Sequence, residues 1–305
     1  MDTRYAEFEN DREIVTAFSN LASRLEEIRA YSFVGLAPIF YALSRSPALR
    51  LLCLNLEEND GRYVPLDDVF TAIREYFPAL RVLCLYCTVD QATLALREIQ
   101  RELDGLELRI EAPVPAEHLY DLITTVLDET PSLRAFRISC DSAMFCDVHP
   151  PIRISEVFHP FVGMKELRHL QVTLGYTGDQ TPRDAEFGTL LSSWPHLQTY
   201  RIESEPNDAS IPCDAETTDY GLTLEAIAAA ASWCRRLKEL TLPYVNTAII
   251  PETAGIPKAH HQFSLQISRS HVHNHAALVA FVATLWPRCT VNVRGCSHFE
   301  STTSV

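Results

Sequence analysis

Glycine is scarce in this chain: ten residues in 305, leaving few places where backbone amides could close around a phosphate. The sequence has no Gly-x-Gly-x-x-Gly turn, no Gly-x-x-x-x-Gly-Lys loop, no Gly-x-Ser-x-Gly elbow and no His-Glu-x-x-His pair. The usual signatures of dinucleotide, nucleotide, acyl-transfer and zinc-hydrolase chemistry are therefore missing. We expect no enzyme and no cofactor.

Positive charge is also short. With 26 basic against 40 acidic residues the formal charge is -14. No basic run opposes that field, which argues against nucleic acid as a partner. No segment reaches the roughly 18 uninterrupted apolar residues of a membrane helix, and the first residues, Met1-Asp2-Thr3-Arg4-Tyr5-Ala6-Glu7, resemble neither a secretory signal nor a basic presequence. Asn-x-Ser/Thr sequons are absent. The nine cysteines are an odd, scattered set, which suits free thiols in a reducing compartment rather than a disulfide framework. We expect a cytoplasmic or nuclear address and no membrane partner. Hydrophobic residues make up 47% of the chain and charged residues 22%, a mixture typical of a folded core.

What the chain does have is a repeated phrase. Pro47-Ala-Leu49-Arg-Leu-Leu52-Cys-Leu54 returns as Pro78-Ala-Leu80-Arg-Val-Leu83-Cys-Leu85. Further copies are Pro131-Ser-Leu133-Arg-Ala-Phe136-Arg-Ile138, Leu167-Arg-His-Leu170-Gln-Val172, Pro195-His-Leu197-Gln-Thr-Tyr200-Arg-Ile202 and Leu237-Lys-Glu-Leu240-Thr-Leu242. Weaker copies are Leu106-Glu-Leu108-Arg-Ile110, Phe263-Ser-Leu265-Gln-Ile267 and Thr290-Val291-Asn-Val293. Counting from the first leucine, positions 4 and 6 are apolar and share one face of a short strand, whereas 5 and 7 share the other.

Between these strands lie helical patterns at Asp68 to Phe77, Ala116 to Asp128 and His275 to Trp286. Proline at 47, 78, 131, 195 and 287 ends each preceding helix, since it lacks an N–H and its ring clashes with the turn before it. Arg50, Arg81, Arg134, Arg168 and Lys238 form a column near helix C-termini, where a cation meets exposed carbonyls favourably. Residues 11 to 30, with Ile14, Phe18, Leu21, Leu25 and Ile28 on one face, read as an amphipathic capping helix.

The phrases resemble leucine-rich repeat proteins, and the uneven repeat lengths with the Pro-x-Leu-Arg-x-Leu lead-in resemble the repeat region of fungal F-box proteins. The resemblance covers about residues 34 to 295. It implies an α/β leucine-rich repeat solenoid, with about nine short parallel strands on a concave face and helices on a convex face. As domain organisation we expect one domain over 1–305: a capping helix in 1–33, repeats over 34–295 and a loose tail at 296–305. Position 9, where such repeats carry Asn or Cys, holds Glu57, Thr88, Asp141, Gly175, Glu205 and Val245. Residues 1 to 45 contain no Leu-Pro-x-Glu-Leu segment of the F-box kind.

The function this implies is a non-catalytic protein-binding module, a substrate receptor of an F-box-like ubiquitin ligase adaptor that meets the Skp1 and cullin machinery through a missing upstream segment. The alternative is a repeat-only scaffold or regulator with no ubiquitin link. The binding face is expected at positions 5 and 7: Arg109, Glu111, Arg137, Ser139, Gln171, Thr173, Arg201 and Glu203. Arginine forks onto carboxylates and is favoured at interfaces. Cys53 and Cys84 share position 5 and should sit side by side, while Cys84-x-x-Cys87 is half a zinc knuckle without its second half and reads as free thiols. A second metal candidate joins His271, His273, Cys296 and His298, on segments leaving the same end of neighbouring strands.

Overall fold

The repeated phrase folds as a tight turn that feeds a strand. The N–H of the first leucine donates to the carbonyl three residues earlier: Leu80 to Phe77 at 3.2 Å, Leu133 to Thr130 at 3.1 Å, Leu167 to Met164 at 3.2 Å, Leu197 to Trp194 at 3.0 Å and Leu237 to Cys234 at 2.9 Å. In three of these turns proline follows the accepting residue, at 78, 131 and 195, and its fixed φ suits the first central position of a turn. All five leucines are buried.

A computed structural model of the chain describes residues 16, 20–22, 24–29, 37–56, 65–99, 101–110, 114–140, 157–175, 183–205, 222–269, 275–294 and 300–304. The chain forms two compact units, Met1–Glu111 and Ala112–Val305.

In the first unit four strands run parallel in sequence order: β1 (Glu27–Ile28), β2 (Leu51–Asn55), β3 (Val82–Cys87) and β4 (Gly105–Ile110). The helices α1 (Ala37–Ser44), α2 (Leu66–Tyr76) and α3 (Val89–Ile99) neighbour one another in the same order. Thr88 and Gln91 start α3 as a reciprocal capping box: the Thr88 N–H donates to Gln91 Oε1 at 2.9 Å, and the Gln91 N–H to Thr88 Oγ1 at 3.3 Å. Leu52, Leu54, Leu83, Leu85, Leu106 and Leu108 point to the helix side and are buried.

The second unit has six parallel strands in ladder order: β5 (Ala135–Cys140), β6 (His169–Gly175), β7 (Thr199–Glu205), β9 (Glu239–Asn246), β10 (Phe263–Arg269) and β11 (Cys289–Arg294). A two-residue strand, β8 (Leu222–Thr223), pairs with Val245 and Asn246 at the far end of β9. The β7–β9 ladder ends at Arg201 and Thr241, shortly before Pro243, which has no N–H to give. The helices are α4 (Ala116–Glu129), a 3-10 turn (His159–Gly163), α5 (Asp184–Ser192), α6 (Leu224–Trp233) and α7 (His275–Leu285), each adjacent to the next. Between them and the strands lie Phe136 and Phe161, edge to face at 4.8 Å, and Phe263 stacked on Trp286 at 3.9 Å.

All nine strands expected from the phrase are present, as β2 to β7 and β9 to β11. Four departures concern the ends and the cation column. Ile28 lies in strand β1 rather than on a helix: the Glu26 carbonyl accepts from the Arg50 and Leu51 amides, satisfying an edge of β2 that would otherwise stay open. Leu21, expected on the apolar face of the capping helix, is exposed. The tail expected to be loose contains strand β12 (Glu300–Ser304), antiparallel to β11, which covers that edge. The guanidinium that reaches the end of α2 belongs to Arg101, which donates to the Ile73 and Phe77 carbonyls, whereas Arg81 is exposed. Among the described residues no helix is long and apolar enough to cross a membrane.

Candidate functional site

Positions 5 of the second unit form one continuous row. The ladder pairs Arg137 with Gln171, Gln171 with Arg201, Arg201 with Thr241, Thr241 with Gln266 and Gln266 with Asn292. Neighbours in such a row stand about 5 Å apart. Ser139, Thr173 and Glu203 form the parallel row at position 7, and His169, Thr199 and Glu239 that at position 3. Every one of these side chains is polar, and apart from the buried Thr241 all are exposed or half-buried.

Cross-strand bonds organise the row. Arg137 donates through Nε and Nη2 to Gln171 Oε1 at 2.9 and 2.5 Å. Arg201 donates through the same two nitrogens to Glu239 Oε1 at 2.9 and 2.5 Å, so its charge is met by a carboxylate of the next strand. The His169 ring approaches Thr199 Oγ1 at 3.2 Å. Burial, with Arg168 and Lys238 nearby, holds its pKa below the usual imidazole value. Farther along, Thr241 Oγ1 and Asn292 Oδ1 are buried and have no hydrogen-bond partner among the described residues, so the row is not uniformly open. The arrangement offers donors and acceptors at strand spacing, which is recognition chemistry.

The first unit differs. Its ladder pairs Cys53 with Cys84 and Cys84 with Glu107, and places Arg109 opposite Tyr86. Arg109 therefore stands at position 7 and Glu107 at position 5, two residues from the register expected of the weak copy. Arg109 is also matched within its own strand, its Nη2 lying 2.9 Å from Glu107 Oε1. Leu51, Cys53 and Cys84 are buried in one cluster with Val82 packed against it, although all four occupy the side expected to be open. The signal was in the sequence: Leu51-Leu52-Cys53-Leu54 is a continuous apolar run rather than an alternation, the pattern of a strand covered on both faces.

The expected recognition residues are thus divided. Arg137, Ser139, Gln171, Thr173, Arg201 and Glu203 share one face of the second unit, Arg109 belongs to the first, and Glu111 lies outside the described residues. The pair Cys84-x-x-Cys87 does not converge, because residues three apart in a strand point to opposite faces. His271, His273, Cys296 and His298 lie outside the described residues. Among the described residues no group of three or more His, Cys, Asp or Glu is placed to hold a metal ion. The six described cysteines are buried, and none of them is in a disulfide. Sequence reasoning missed Glu239, which neutralises Arg201, and Arg29, whose charge acts on the Cys84 thiol.

No protein-family model matches the chain, and no curated protein matches it.

Proposed function

We propose that this chain is a non-catalytic protein-binding module of leucine-rich repeat type whose partner docks on the strand face of the second unit. The observation that carries this reading is the in-register row Arg137, Gln171, Arg201, Thr241, Gln266 and Asn292, flanked by Ser139, Thr173 and Glu203. A polar lattice with rigid backbone spacing and cross-strand bonding keeps its donors and acceptors preorganised, which lowers the ordering cost of binding. The repeat type is supported by the leucines that close each turn and by parallel strands whose alternate side chains are buried.

Within this class the narrower reading is a substrate receptor of an F-box-like ubiquitin ligase adaptor, resting on the Pro-x-Leu-Arg-x-Leu lead-in and the uneven repeats. A scaffold or regulator without Skp1 and cullin partners is the alternative. Replacing Arg137 by Glu and Thr173 by Arg on the full chain should abolish partner capture while leaving the unfolding midpoint nearly unchanged, because surface substitutions usually shift stability by no more than about 0.5 kcal/mol. Capture unaffected by both changes would sink the face assignment. Affinity purification of the protein from its own cells followed by mass spectrometry separates the two readings: recovered Skp1-like and cullin-like proteins select the adaptor, and their absence selects the scaffold.

A further inference from the structure

We infer that Cys53 and Cys84 form a cross-strand dithiol, built into the first unit, that a hydroperoxide oxidises to a single disulfide. The two residues are ladder partners on adjacent parallel strands, so their side chains leave the same face. Neighbouring strands lie about 4.8 Å apart, inside the roughly 4.4 to 6.8 Å window between Cα atoms that a disulfide spans. Both cysteines are buried in a cluster with Leu51 and Val82, and the other described cysteine on β3, Cys87, points to the opposite face.

The flanking charges divide the roles. Glu107, the ladder partner of Cys84, places Oε2 4.0 Å from Cys84 Sγ. Arg29 follows Ile28, which is paired with Leu52, and so falls on the Cys53 side. A carboxylate beside Cys84 disfavours its thiolate and offers a proton acceptor, which marks Cys84 as the second thiol to react. The neighbouring Cys53, burial and Glu107 all raise the Cys84 pKa, and Arg29 opposes them.

Cys53 is accordingly the attacking thiolate. Its sulfur takes the terminal oxygen of the hydroperoxide; the O–O bond breaks and the departing oxygen leaves as water or an alcohol after protonation. Cys84 then attacks the Cys53 sulfenic acid. The S–S bond forms and the S–O bond breaks, while Glu107 takes the Cys84 proton and passes it to the departing hydroxide, which leaves as water. Two thiols lose two electrons and the hydroperoxide gains them.

The experiment treats the full reduced chain with hydrogen peroxide under native conditions, blocks remaining thiols with an alkylating reagent, and maps the peptides by mass spectrometry. We expect one linkage, Cys53 to Cys84, reversed by dithiothreitol and retained in a Cys87→Ala variant. Linkage of either residue to another cysteine, sulfinic acid accumulating at either position, or both recovered as thiols would overturn the proposal. The wild-type map needs no variant to fold. A Glu107→Gln variant should close at least about tenfold more slowly, with the Cys53 sulfenic acid trapped by dimedone in the interval; an unchanged rate removes Glu107 from the mechanism.

Discussion

Arg201 and Glu239 meet across the β7–β9 ladder, with Nη2 2.5 Å from Oε1 and with 34% and 27% of the two side chains exposed. They occupy diagonal positions, 5 on one strand and 3 on the next. The pair thus crosses the ladder diagonally, from its last pair to its first, and holds β7 against β9. A double-mutant cycle with Arg201→Ala and Glu239→Ala should return a coupling of about 0.2 to 1 kcal/mol, because a partly solvated pair is screened. The same cycle repeated at 1 M salt should show the coupling shrink. A salt-independent value would mean that packing rather than charge joins the two residues.

Leu85 points to the helix side of β3 and is fully buried. Leu85→Ala should lower the unfolding free energy by about 2 to 5 kcal/mol, since both the transfer of the removed atoms and the cavity they leave act against the fold. Urea denaturation monitored by circular dichroism measures it. A loss below about 0.5 kcal/mol would contradict the face assignment for that strand.

Trp194 and Trp286 both close a helix just before a proline, yet their indoles are treated differently. Trp194 Nε1 donates to the Phe161 carbonyl at 2.8 Å, whereas Trp286 Nε1 is buried with no partner among the described residues. Replacing each by Phe removes similar volume, but one change breaks a hydrogen bond and the other removes an unsatisfied donor. Trp194→Phe should therefore be the more destabilising by about 1 to 3 kcal/mol. Equal losses in chemical denaturation would show that the Trp286 indole finds a partner in solution.

His169 supplies a pH dependence. Its folded-state pKa is depressed by burial, Arg168 and Lys238, so the unfolded chain binds this proton more readily than the folded one. Stability is complete above the unfolded value of about 6.5 and is lost as pH falls below it toward the folded value. His169→Gln should flatten the fall in denaturation midpoint below about pH 6.5. A wild-type midpoint that rises on acidification through that range, reversed in the variant, would contradict the sign.

Much of the strand pattern was legible because the period of two assigns faces residue by residue. Leu52 and Leu54, Phe136 and Ile138, Tyr200 and Ile202 are buried as alternation requires. Register was legible where the lead-in anchored it, as in Arg137, Gln171 and Arg201. It failed in β4, where Leu106, Leu108 and Ile110 alternate without the proline and first leucine of the full phrase. A slip of two residues leaves every side chain on its proper face, so the pattern alone could not separate Glu107 from Arg109 at position 5. Strand β1 escaped because a two-residue element carries no period.

The sequence by itself determined where the chain turns and which side of each strand is apolar, since both follow from local chemistry: proline and leucine at fixed offsets, and alternation along a pleated backbone. The tertiary structure alone decided what each polar or thiol side chain meets. The bonds from Arg137 to Gln171 and from Arg201 to Glu239, and the contact of Cys53 with Cys84, join residues on neighbouring strands that are distant in the chain. Such contacts depend on lateral register, which is a property of two strands together and is encoded in neither one.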